Sequence, residues 1–151
     1  MNITQKMRAG VGGGLAGGAV MAATMVVGTT VGVIKTPLPV KIERAMEDRV
    51  GITAATGPRL ALALGAHMLI SATFGAGYGA LRALAHVSVV PGGPLYGLGA
   101  YGLTLMGVGP ALGLTRGPWT QQPMTGTRRV MMHALYGTVT AFVSRRVRRG
   151  A

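Results

Sequence analysis

The chain has 151 residues, enough for one domain. Charged residues make up 12%, about half the share usual for a soluble domain, while apolar residues reach 49% and mean hydropathy is +0.44. That balance argues against a soluble fold, which would lack polar groups to cover its surface, and the absence of cysteine excludes disulfides, thiol chemistry and cysteine-based metal sites.

Charge placement divides the chain into elements. No Asp, Glu, Lys or Arg falls between Arg8 and Lys35, between Arg59 and Arg82, between Arg82 and Arg116, or between Arg129 and Arg145. These gaps hold four apolar stretches, from Ala9 to Ile34, Leu60 to Leu81, Leu95 to Leu114 and Val130 to Val143. A helix rises about 1.5 Å per residue and needs roughly 20 residues to cross a hydrocarbon core, so the first three are long enough. The fourth spans if Arg128, Arg129, Arg145 and Arg146 snorkel to the two interfaces. The pattern predicts an all-α fold. Its form is a four-helix transmembrane bundle in a single integral membrane domain over residues 1–151, with spans at about 9–34, 60–81, 95–114 and 128–146.

The first stretch follows Lys6 and Arg8, as in a signal peptide, but it exceeds the usual h-region of ~7–15 residues and reads as a retained helix. The segment from Lys35 to Arg59 comes next, opened by Thr36-Pro37-Leu38-Pro39 and closed by Gly57-Pro58. Within it Ile42, Ala45, Met46 and Val50 share one helical face, and Arg44 and Asp48 form a favourable i,i+4 pair. All three acidic residues lie here, and the segment at about 38–50 is expected to be a short amphipathic interfacial helix. The tight connection Pro91-Gly92-Gly93-Pro94 implies that helices two and three are antiparallel neighbours, and Pro110 is expected to bend or shorten helix three. Trp119, the only Trp, sits just past that helix, where an interfacial anchor belongs. The chain ends in the basic tail Arg145-Arg146-Val147-Arg148-Arg149.

Each half reads as a Gly-rich helix, a Pro-containing loop, basic residues and a His-bearing helix, a weak tandem repeat with an axis along the membrane normal. The positive-inside rule ties, with seven basic residues at the termini and Arg82 against eight in the opposite loops. The C-terminal cluster tips both termini toward the cytoplasm. Because the basic residues flank apolar spans, anionic lipid headgroups are the expected partner of the +12 net charge, and nucleic acid is not.

Small-residue spacing is the strongest motif. Gly10, Gly14 and Gly18 form one series, Gly13 and Gly17 a second, with Gly28 and Gly32 further on and Gly75 and Gly79 on helix two. Such spacing lets helix backbones approach closely in lipid, within the chain or against a membrane-protein partner or second copy. All four Tyr precede Gly, at Tyr78, Tyr96, Tyr101 and Tyr136. The Gly opens a groove for another helix's ring, and the hydroxyl can bond across helices. His67 and His133, with Tyr78 and Tyr136, form a candidate polar intramembrane site, either structural or part of a proton or solute path. No membrane stretch holds an Asp or Glu to complete a relay, the ligand set for a metal is thin, and no phosphate loop or nucleophile–base pair appears. No catalytic residue, metal or cofactor is therefore expected.

The run from Ala66-His67 through Phe74-Gly75 to Gly77-Tyr78-Gly79 is joined by Pro110-Ala111-Leu112-Gly113-Leu114 and by His133 to Tyr136-Gly137. With the Pro-rich turn and basic amphipathic segment after helix one, the chain resembles the YagU-like family of small bacterial inner-membrane proteins over most of its length. The resemblance implies a multi-pass inner-membrane protein without an established enzymatic activity. Taken together, these features predict a non-enzymatic scaffold or accessory subunit of a membrane complex. The alternative is a small transporter or channel with a His/Tyr-lined path.

Overall fold

Asn2 starts the first helix by a reciprocal capping box. Its side chain accepts from the Gln5 amide at 2.9 Å, and its own amide donates to the Gln5 Oε1 at 3.1 Å. The computed structural model describes residues 2–33, 56–85, 87–111 and 123–149. Among them lie four helical rods and no strand. They are α1 (Ile3–Thr30), α2 (Thr56–Leu84), α3 and α4 (Pro123–Arg149), where α3 runs through Gly92–Gly102, a π-helical turn Leu103–Val108 and a last short piece Gly109–Ala111. The expected amphipathic segment at 38–50, with Arg44 and Asp48, and the Trp119 anchor both fall outside the described residues.

The helix bounds differ from the expected spans for identifiable reasons. α1 stops at Thr30 rather than near Ile34, because Gly32 takes φ +74° and its amide returns to the Thr29 carbonyl at 3.1 Å. That is the turn by which a helix ends on a left-handed glycine. Gly32 is therefore a helix stop and not a packing glycine: a Cβ there would meet nothing within 4 Å. α4 runs well past its apolar limits at both ends, so Arg128, Arg129, Arg145 and Arg146 lie on the helix itself. Its charge-free part, Val130 to Ser144, rises about 22 Å against a core of about 30 Å. In α3, Pro110 has no amide to donate and its ring crowds the carbonyl four residues back. The ladder widens just before it, where the Gly109 amide reaches the Thr104 carbonyl, five residues away.

Two helices, Ile3–Thr30 and Ala61–Leu84, are long and apolar enough to cross a membrane. The tight helix pairs run in the order α2, α1, α4, α3, and α1 packs on both α2 and α4. The α1/α2 and α3/α4 pairs both cross on glycine, in keeping with a repeat. The repeat breaks at α3, whose tight partner is α4 alone, whereas α1 has two. The N-terminal ends of α1 and α3 meet the C-terminal ends of α2 and α4: Lys6 Nζ donates to the Arg82 carbonyl at 3.3 Å, and Gly93 faces Ala141.

The interior holds mostly small and polar side chains, joined by Met25, Leu105, Tyr78, Tyr101 and Tyr136, and many of the large apolar ones point away from it. Gly10, Gly13, Gly14, Gly17, Gly18, Ser71, Gly75, Gly79, Ala100, Gly137, Thr140, Ala141 and Ser144 are buried. Leu62, Leu69, Leu84, Leu95, Met131 and Phe142 are exposed, Leu69 at 70% and Leu84 at 81%. Tyr78, Leu105 and Thr140 are the largest fully enclosed side chains among the described residues.

Candidate functional site: a polar layer between glycine seams

The site begins with the glycines, since they decide which polar groups can meet. A Cβ on Gly10 would strike the Gly75 carbonyl oxygen, and one on Gly75 would strike that of Gly10. Gly14 abuts the Ser71 carbonyl and, at 2.7 Å from its imagined Cβ, the Gly75 Cα. Gly79 receives the Lys6 carbonyl and Gly18 the Ser71 side chain. The other series faces α4: Gly13 meets the Thr140 carbonyl and Ser144 Oγ, and Gly17 meets Tyr136 and Thr140. Gly10, Gly14 and Gly18 therefore serve α2, while Gly13 and Gly17 serve α4. Gly28 is half-buried in the last turns of α1.

A third glycine seam escaped the sequence reading. Gly93 and Gly97 of α3 lie against Gly137 of α4, where the Gly93 carbonyl would block any Cβ on Gly137 and the His133 carbonyl any on Gly97. The signal was present, because Gly93 and Gly97 are four apart and Gly97 and Gly137 both follow Tyr. These Tyr-Gly pairs do not work as expected. Gly79, Gly97 and Gly137 admit a neighbouring backbone and not a ring, and Gly102 meets little besides the Met106 sulfur at 4.0 Å.

Small polar residues fill the notches so formed. Tyr136 Oη donates to the Ser71 carbonyl at 2.7 Å, linking α4 to α2 across the bundle. Ser144 Oγ donates to the Thr140 carbonyl at 2.6 Å within α4. Tyr96 Oη donates to the Phe74 carbonyl, joining α3 to α2 where these helices stand apart. The Tyr96 ring meets Tyr78 edge-on, with centroids 5.0 Å apart, and the Arg82 guanidinium sits 5.9 Å from the Tyr78 centroid. Tyr78 is fully buried and its hydroxyl has no hydrogen-bond partner among the described residues.

His67 and His133 lie within electrostatic reach of each other but bond to different carbonyls. His67 Nε2 lies 3.1 Å from the Gly18 carbonyl of α1. His133 Nδ1 lies 2.8 Å from the Arg129 carbonyl of its own helix, and its ring meets Tyr101 of α3 edge-on at 5.1 Å. A carbonyl can only accept, so the neutral rings are held as opposite tautomers, Nε2–H at His67 and Nδ1–H at His133. Each imidazole is thereby used to bind main chain. Of the expected interfacial anchors, Arg128 donates from Nη1 to the Val33 carbonyl at 2.7 Å, tying the end of α1 to the start of α4. Arg129 is half-buried. Arg145 and Arg146 are exposed, with the Arg146 guanidinium 4.4 Å from the Phe142 centroid.

Between α2 and α3 the surface opens into an apolar groove of about 500 Å³, lined by Phe74, Leu81, Leu95, Gly99 and Leu103, with Tyr96 among them. Among the described residues no three His, Asp or Glu side chains gather as metal ligands would. The chain matches no family model, no curated protein and no solved structure.

Proposed function

We propose that the protein is a multi-pass membrane protein whose four helices act together as a non-enzymatic scaffold or accessory subunit of a membrane complex. One observation carries this reading: apart from Met25, Leu105 and three tyrosines the interior is mostly glycine, alanine and small polar residues, and many bulky apolar side chains face outward. In water that arrangement would leave extensive apolar surface exposed, whereas in lipid close backbone approach is what drives helices together. His67, Tyr96 and Tyr136 support a structural role, since each spends its hydrogen bond on the backbone of another helix. The resemblance to YagU-like proteins adds a bacterial inner-membrane location, and the basic C-terminal cluster puts both termini in the cytoplasm. Mild-detergent extraction followed by mass measurement tests the scaffold. A stoichiometric membrane partner or a defined homo-oligomer is expected, and a protein that always runs as an isolated monomer would sink the idea.

The buried, unpartnered Tyr78 hydroxyl beside Tyr96 favours one second reading, a small transporter or channel with a His/Tyr-lined path. Proton or solute flux in reconstituted liposomes that is unchanged by His67→Ala and His133→Ala would rule it out.

A further inference from the structure

The groove between α2 and α3 has no charged lining residue, but its lower end lies beside the basic end of the bundle. Its walls start at Val87 and Gly92, beside Leu81, and rise along α3 to Leu103. From Gly92 to Leu103 that is about 16 Å, close to half of a ~30 Å hydrocarbon core, or one leaflet. Its volume of about 500 Å³ lies within the ~300–1,000 Å³ usual for a bound small molecule. Arg82 adjoins Leu81 at the leaflet-surface end, and Lys6 Nζ reaches the Arg82 carbonyl. Arg82 and Arg145 both lie within electrostatic reach of Tyr78, whose ring packs on the groove-lining Tyr96. Lys6, Arg8, Arg82, Arg145, Arg146, Arg148 and Arg149 all belong to this end of the bundle. The described residues contain no Asp or Glu, since Glu43, Glu47 and Asp48 fall in the connection between α1 and α2.

We propose that this groove is a specific site for one anionic phospholipid, with its acyl chain along Leu95, Gly99 and Leu103 and its phosphate at Arg82 and Lys6. The site rests on the membrane reading above. Charge complementarity selects this occupant over a second copy. Two copies inserted the same way would bring the same basic ends together and repel, whereas an anionic headgroup neutralises that end. An acyl chain also matches a wall that offers almost no polar atoms apart from the Tyr96 hydroxyl, which is already bonded.

The test uses the full chain, delipidated in detergent and titrated separately with phosphatidylglycerol and phosphatidylcholine, with bound lipid read by native mass spectrometry. The expected result is one retained phosphatidylglycerol, held more tightly than phosphatidylcholine. A Cβ at Gly99 meets nothing within 4 Å, so Gly99→Phe fills the groove without touching a glycine seam and should abolish retention of both lipids. Arg82→Gln should keep the lipid but lower the preference for the anionic headgroup about fivefold, the share of one basic residue near an anionic surface. Should Gly99→Phe alter the circular dichroism, Leu95→Trp, on the exposed groove wall, takes its place. Equal affinity for the two lipids in the parent, or undiminished retention in the filled-groove variant, overturns the proposal. Membrane residence is scored separately by alkaline carbonate extraction, so loss of the lipid site and loss of the membrane reading give different results.

Discussion

At the scale of single residues, neighbouring glycines in the same helix make opposite predictions. A side chain at Gly14 would run into the backbone of Ser71 and Gly75, whereas one at Gly12 would meet nothing within 4 Å. Gly14→Val should therefore cost about 1–3 kcal/mol or more, the range of overpacked cores, because rigid backbone cannot move aside as a side chain can. Gly12→Ala should be neutral or stabilising by up to about 1 kcal/mol, from helix propensity alone. Thermal unfolding in detergent checks both, and equal effects would contradict the seam geometry. The tyrosines give a second contrast. Tyr136→Phe removes the bond to the Ser71 carbonyl and should cost about 1 kcal/mol, while Tyr78→Phe deletes a buried hydroxyl with no partner and should be neutral or stabilising.

At the scale of elements, the order α2, α1, α4, α3 was only partly legible. The glycines of α1 stood out because they recur every four residues over several turns, and Gly75 and Gly79 of α2 because they repeat that spacing once. That Gly10 and Gly13 point at different helices follows from a turn of 3.6 residues, yet which helix each would meet is a matter of tertiary packing. Gly32 fitted the same spacing as Gly28 but lies where the helix ends, and spacing alone does not distinguish a packing glycine from a stop. The π turn before Pro110 was foreseen only as a bend. Because the chain has no cysteine, introduced pairs report the packing cleanly. Tyr101→Cys with His133→Cys should be joined by a short thiol-reactive cross-linker between α3 and α4, since the two rings meet at 5.1 Å and neither change adds a Cβ. Gly65→Cys with Gly99→Cys, both open positions, should not. Cross-linking of the second pair and not the first would require a different arrangement of helices.

At the scale of the whole molecule, composition and charge spacing were enough to expect helices separated by basic residues, because long charge-free apolar runs satisfy their backbone polar groups most simply as helices. The polar layer was harder to read. Ser71, Thr140 and Ser144 are ordinary residues in sequence and gain meaning only from the glycines opposite them on α1. An outward-facing position gives the sharpest test of the environment. Leu69→Lys places a charge at a 70% exposed site near the middle of α2. In water this would be harmless, but in a bilayer it should cost about 2.5–3.5 kcal/mol of insertion, seen as loss from the carbonate-resistant fraction. The glycine seams have one more consequence. The direction in which a Cβ would project from glycine is the direction of an α-hydrogen. The contacts of Gly10 with Gly75, Gly14 with Ser71, Gly79 with Lys6, Gly13 with Thr140, Gly97 with His133 and Gly137 with Gly93 therefore aim C–H bonds at carbonyl oxygens. Each such bond contributes about 0.5–1 kcal/mol, and the Gly10–Gly75 pair exchanges two. The helices are thus laced main chain to main chain, much as strands are in a sheet, with their outer side chains left out of that lacing.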